Sequence, residues 1–127
     1  MSSFTKPLRI EDVDGRNFRL LESFIYYTNK KEVICVPEGF ITDFASIPRL
    51  FWSIIGSPIG RYGKAAVVHD WLYHTQKYSR KYADAIFLEA MAVLGVNWLK
   101  RRTMWLAVRI GGHFPWKKRE TELRTTC

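Results

Sequence analysis

VVHDWLYHTQKYSRKYADAIFLEAM, residues 67–91, reads as two helices joined by a tight turn. His69 and Tyr73 stand at i and i+4 and share a helix face. Asp70 follows His69, is rotated from it by about 100°, and looks toward the loop that precedes the helix. Asp84 lies on the second helix. With the helices antiparallel about a turn near Lys77–Tyr78, His69 and Asp84 reach similar heights and face each other.

The first helix is expected over Arg61–Gln76, from the spacing of Ala65, Ala66, Val67, Val68 and Leu72. The second is expected over Ser79–Leu94. Ser79 is its N-cap, Ala83, Ile86, Phe87, Ala90, Met91 and Leu94 its apolar stripe, and Gly95 its end. A third, capped by Asn97, runs to Ile110 and stops at Gly111-Gly112.

Upstream, residues 1–48 are β-rich. NFRLLESFIYYT (17–28) and KEVICVPEGF (31–40) are rich in aromatic and β-branched residues and flank the turn Thr28-Asn29-Lys30-Lys31, the pattern of a hairpin. Leu8–Ile10 adds a short strand, and Asp14-Gly15 marks a second turn. GFITDFASIPRLFWSIIGSPIGRYG (39–63) is irregular, with Pro48 opening a short helix at Arg49–Ile55. The last stretch, 113–127, is polar and basic and is expected to fray. These signals give an α+β fold: a small N-terminal antiparallel sheet or hairpin (1–48), then a three-helix unit with an antiparallel helix pair (49–112), then a polar tail, in one domain of 127 residues.

Hydrophobic residues make up 47% of the chain, which argues against disorder. The net charge of +8 suits an anionic partner: nucleic acid, an anionic lipid surface or an acidic protein. Cys35, inside the apolar run VICV, reads as a buried thiol, and Cys127 is terminal; no disulfide framework or metal knuckle is implied. No apolar leader opens the sequence and no apolar run is long enough to cross a bilayer, and a fold without covalent staples favours a reducing compartment.

The facing residues suit hydrolysis. Asp84 bound to one imidazole nitrogen fixes the tautomer and leaves the other nitrogen to take a proton from water. Tyr73 donates its hydroxyl to Asp84 and satisfies that carboxylate. Asp70, with Asp43 and carbonyls of the 39–48 loop, offers oxygens to a hard cation such as Ca²⁺. Thr42, Ser46 and Arg49 are polar residues set among large apolar ones and read as a substrate-binding or structural loop.

HDWLY followed by ADAIF resembles the catalytic core of phospholipase A2, and is closest in style to the disulfide-free viral phospholipases. That resemblance implies His69 as general base, Asp84 as its orienter, Tyr73 as support for Asp84, and Asp70 as a calcium ligand. GFITDFASIPR stands where that family carries its glycine-rich calcium loop. A second resemblance spans nearly the whole chain. GFITDFASIPR, AAVVHDWLY, ADAIFLEAM and MWLAVRIGG are similar to the phage and prophage family known as domain of unknown function 1353. It implies a virus-encoded origin and a shared site for Asp43, Ser46, Pro48, Arg49 and His69.

Blander readings stand beside these. His69 and Asp84 also fit a buried structural pair. Asp70 also fits a salt bridge to Arg49 or Arg61, and Asp43 also fits a turn cap before Ser46–Pro48. A metal-dependent His-Asp phosphohydrolase needs a further histidine upstream, and none precedes His69. In the third helix Lys100, Arg101, Arg102 and Trp105 present a basic, aromatic contact for an anionic surface, with nucleic-acid phosphate as a weaker use and an ordinary core helix with a solvated basic side as the bland one. The leading expectation is a phospholipase A2-like hydrolase of anionic lipid esters, with possible use of calcium. Its rival is a non-enzymatic phage structural or host-factor-binding protein whose polar cluster is a buried network.

Overall fold

The computed structural model describes residues 3–5, 8–14, 17–43 and 63–125. Strands come first and helices follow, giving an α+β architecture. The strands are β1 (Ser3–Phe4), β2 (Ile10–Asp12), β3 (Phe18–Leu20), β4 (Phe24–Tyr27), β5 (Val33–Val36) and β6 (Ile41–Thr42). They form two three-stranded antiparallel sheets, ordered β1-β4-β5 and β2-β3-β6. The helices are α1 (Gly63–Thr75), α2 (Arg80–Val93), α3 (Trp98–Gly111) and α4 (His113–Thr125).

The hairpin forms as expected, with Phe24 opposite Val36 and Tyr27 opposite Val33. Its turn is closed by the Thr28 hydroxyl, which accepts from the Glu32 N–H at 3.0 Å, and Lys31 takes a left-handed φ of 64°. The long strand expected over 17–28 is instead broken into β3 and β4, which belong to different sheets. Phe18, Leu20, Phe24 and Tyr26 point inward, so strict alternation would drive Glu22 into the core. The chain bends there, and Glu22 meets Arg9 at 3.4 Å. The short strand near Leu8–Ile10 falls two residues later, over Ile10–Asp12.

Cys35 is exposed, not buried. Ile34 and Val36 occupy the inward positions of β5, so a period of two turns Cys35 outward.

α1 is the central helix. Ala65 through His69 are buried without a break, which marks a helix enclosed on most sides rather than amphipathic. Strands and helices share one hydrophobic cluster, with Leu20, Tyr26 and Val36 from the sheets meeting Val67, Leu72, Phe87 and Met91. Two tyrosine–glutamate contacts tie the β4–β5 hairpin to α2: Tyr26 of β4 donates to Glu89, and Tyr82 donates to Glu32 in the turn. Ser79 caps α2 by accepting from the Tyr82 N–H at 3.2 Å, Asn97 caps α3 at Lys100, and Gly95 ends α2 with a φ of 81°.

The segment expected to fray is helix α4. Its own amphipathicity is weak, and contacts to α1 hold it. Trp116 stacks edge-on against Tyr73 at 5.1 Å, the Gln76 amide donates to the Trp116 carbonyl at 2.9 Å, and Arg119 donates to the His74 carbonyl at 2.7 Å. Among the described residues no helix is long and apolar enough to cross a membrane. The expected helix at Arg49–Ile55 lies outside the described residues.

Candidate functional site

α1 and α2 run antiparallel and bring His69 and Asp84 together as their spacing implies. His69 Nε2 lies 2.7 Å from Asp84 Oδ1, and the Tyr73 hydroxyl donates to the same oxygen at 2.8 Å. The other carboxylate oxygen, Oδ2, accepts from Arg109 Nη1 of α3 at 2.7 Å. Burial alone would raise the Asp84 carboxyl. The hydrogen bond and charge of His69, joined by Tyr73 and Arg109, outweigh it and hold the group below the ordinary carboxylate value. Burial, then the neighbouring Asp84, pushes the Tyr73 hydroxyl above its ordinary value.

A second arginine extends the array. Arg80 Nε donates to the Tyr73 hydroxyl at 3.2 Å, while its Nη2 donates to the carbonyls of Val108, at 3.0 Å, and Arg109. One carboxylate and two arginines thereby link α1, α2 and α3. Gly112, between α3 and α4, completes the packing: a Cβ there would stand 2.5 Å from the Tyr73 hydroxyl and 2.4 Å from the Val108 carbonyl oxygen.

The array is closed. His69 is 2% exposed and Asp84 0%. The imidazole lies between the rings of Tyr73 and Phe87, at centroid distances of 4.3 and 4.7 Å. His69 Nδ1 is buried and has no hydrogen-bond partner among the described residues.

Asp70 faces the other way, as its position on the helix requires. Its Oδ2 accepts from the Thr42 hydroxyl and, at 3.0 Å, from the Asp43 backbone N–H. Desolvation and the neighbouring Asp43 carboxylate raise the Asp70 carboxyl well above its ordinary value. Two carboxylates and a hydroxyl are the right donor type for a hard cation, but fewer than the six to eight oxygens that Ca²⁺ takes. Among the described residues, no three His, Cys, Asp or Glu side chains gather as a metal site. Ser46, Pro48, Arg49 and Arg61, and with them the proposed salt bridge to Asp70, lie outside the described residues.

Residues 18–108 match the family described as "Protein of unknown function (DUF1353)". The chain belongs to the DUF1353 family. Among curated proteins, this DUF1353 chain is similar to "Uncharacterized protein y4jT" of Sinorhizobium fredii (strain NBRC 101917 / NGR234), at 41% identity over 78 residues. The match covers 61% of the chain and 23% of that protein, so the chain spans less than a quarter of its relative's length. No solved structure matches it. These matches support the family and give no support to the phospholipase resemblance or the phage origin.

Of the four residues expected on the basic surface, Lys100 and Arg102 are exposed, with Arg102 over the Trp98 ring at 5.9 Å. Trp105 and Arg101 are half-buried, and Arg101 donates to the Val96 carbonyl at 3.0 Å. Sequence reasoning missed Arg80, Arg109 and Gly112 as parts of the array.

Proposed function

We propose that this chain works by binding an anionic surface, and that His69, Asp84, Tyr73 and Arg109 are the keystone of the helical scaffold that presents the binding face. The binding role is supported by the net charge of +8 and the exposed Lys100 and Arg102, and the scaffold role by the closure of the dyad. A general base must reach water, whereas this imidazole is enclosed by two rings, and both oxygens of Asp84 are taken by protein groups. Asp84 also takes partners from both α1 and α3, which is what a scaffold carboxylate does.

The test pairs stability with turnover. His69→Ala and Asp84→Asn are expected to lower the melting temperature sharply, and the native protein is expected to leave a fluorescent phospholipid intact with or without calcium. Calcium-dependent turnover that disappears in His69→Gln overturns the proposal.

One observation favours a second reading, a phospholipase A2-like hydrolase. The unpartnered Nδ1 of His69 sits opposite the nitrogen held by Asp84, as in a base oriented for a water molecule. In that reading Tyr73 supports Asp84, and Asp70 and Asp43 contribute to calcium, whose charge would relieve the repulsion between them and polarise an ester carbonyl. Thr42 would act through its hydrogen bond to Asp70, and Ser46 and Arg49, outside the described residues, keep the substrate-loop role expected from the sequence. The same assay decides between the two readings. Under either, the setting we propose is a bacterial host cytoplasm or a virion, where a lipid surface or a host or virion protein supplies the partner.

A further inference from the structure

α3 has two apolar faces, and the core accounts for one. Met104 and Val108 are buried against the other helices. Leu99, Leu106 and Ile110 fall within roughly 40° of one another on the helix wheel, on the side away from Met104 and Val108. Their exposures are 69%, 52% and 72%, unusual for three large aliphatic side chains in one stripe. An ordinary amphipathic core helix would carry polar residues there.

Along α3 itself the charged residues are Lys100, Arg101, Arg102 and Arg109, with no Asp or Glu, and Arg109 is committed to Asp84. Exposed Lys100 and Arg102 flank the stripe on either side, and Trp98, also exposed, lies beside Arg102.

We infer that the outer face of α3 docks on an anionic lipid bilayer, with Leu99, Leu106 and Ile110 in the acyl boundary and Lys100 and Arg102 at the headgroups. The inference rests on the binding role proposed above and gives it a partner and a face. An aliphatic centre with cations and a tryptophan at its edges is the arrangement of an interfacial helix. Duplex phosphate would need the cations at the centre, where the aliphatic stripe instead lies. A second copy docked on the same stripe would bring its own unbalanced cations against these.

Vesicles of phosphatidylcholine, with and without phosphatidylglycerol, test the inference by sedimentation of the whole protein. Binding is expected to vesicles containing phosphatidylglycerol and to fall as salt rises. Leu106→Glu or Ile110→Glu, both at exposed positions, should weaken it by about tenfold or more, and Lys100→Ala by about fivefold, with an unchanged circular dichroism spectrum. Three results overturn the inference: no sedimentation with anionic vesicles, sedimentation indifferent to the two glutamate variants, or preference for duplex DNA over the vesicles. Any of these leaves the scaffold role of His69 and Asp84 to be judged by melting and turnover, and lipid turnover would overturn that role without touching the docking face.

Discussion

Arg109 reaches from α3 to Asp84 on α2 and holds its Oδ2 at 2.7 Å, the oxygen that His69 leaves open. The carboxylate is sealed while the Arg109 side chain is 29% exposed, so one partner depends on the pair far more than the other. Removing the carboxylate strands three groups at once: His69 Nε2, the Tyr73 hydroxyl and Arg109. Asp84→Ala should therefore cost about 3–5 kcal/mol. Arg109→Ala should cost about 1–3 kcal/mol, because water reaches part of its side chain and Asp84 keeps two other partners. Urea unfolding of the two variants checks both the size and the order.

The same carboxylate sets a pH dependence with a definite sign. Its folded pKa lies below the unfolded value, so its stabilisation is present above the unfolded value of about 3.9 and is lost as pH falls through the folded one. Asp70 works in the opposite sense. Its folded pKa is raised, so its contribution is present below the unfolded value and is lost as pH rises through the raised one. Asp84→Asn should be less stable than the native protein at neutral pH, and its stability should fall less steeply on acidification. Urea midpoints measured from neutral to acid pH give the two slopes.

Gly112 has an ordinary negative φ of −73°, so space and not backbone conformation excludes a side chain there. Gly112→Ala should cost about 1–3 kcal/mol by overpacking. Tyr73→Phe in the same chain should recover part of that loss and not all, since the Val108 carbonyl also blocks the new methyl. A double-mutant cycle of thermal melts measures the recovery.

How much of this was legible depended on whether a signal was local. Ser79, Gly95 and Asn97 act on the backbone beside them, and the helix ends fall within two residues of where those signals put them. His69 and Asp84 meet because two helices and a short turn leave little freedom. Cys35 was misjudged because VICV is apolar at every position, while the pleat still turns alternate residues outward. Glu22 bends a segment that reads as one strand, and composition alone did not reveal it. α4 is held by Tyr73, His74 and Gln76, some forty residues earlier, which nothing within HFPWKKRETELRT announces. Its own pairs Lys117–Glu120, Arg119–Glu122 and Glu120–Arg124 were a local helix signal that the expectation of fraying passed over.

Trp116 should accordingly hold more than its own helix. Trp116→Ala removes the ring from Tyr73 and loosens α4 against α1, and should cost about 1–3 kcal/mol. Amide hydrogen exchange should speed up through α4 first, with α2 protected.

The central claim is that His69 is sealed within a scaffold, and chemical access measures that most directly. Diethyl pyrocarbonate labels accessible imidazole nitrogens, and the chain offers three histidines for internal comparison. His74 and His113, both exposed, should be labelled in the folded protein, and His69 only after unfolding in urea. Labelling of His69 in the native state at a rate comparable with the other two would contradict the account and leave its Nδ1 open to act as a base.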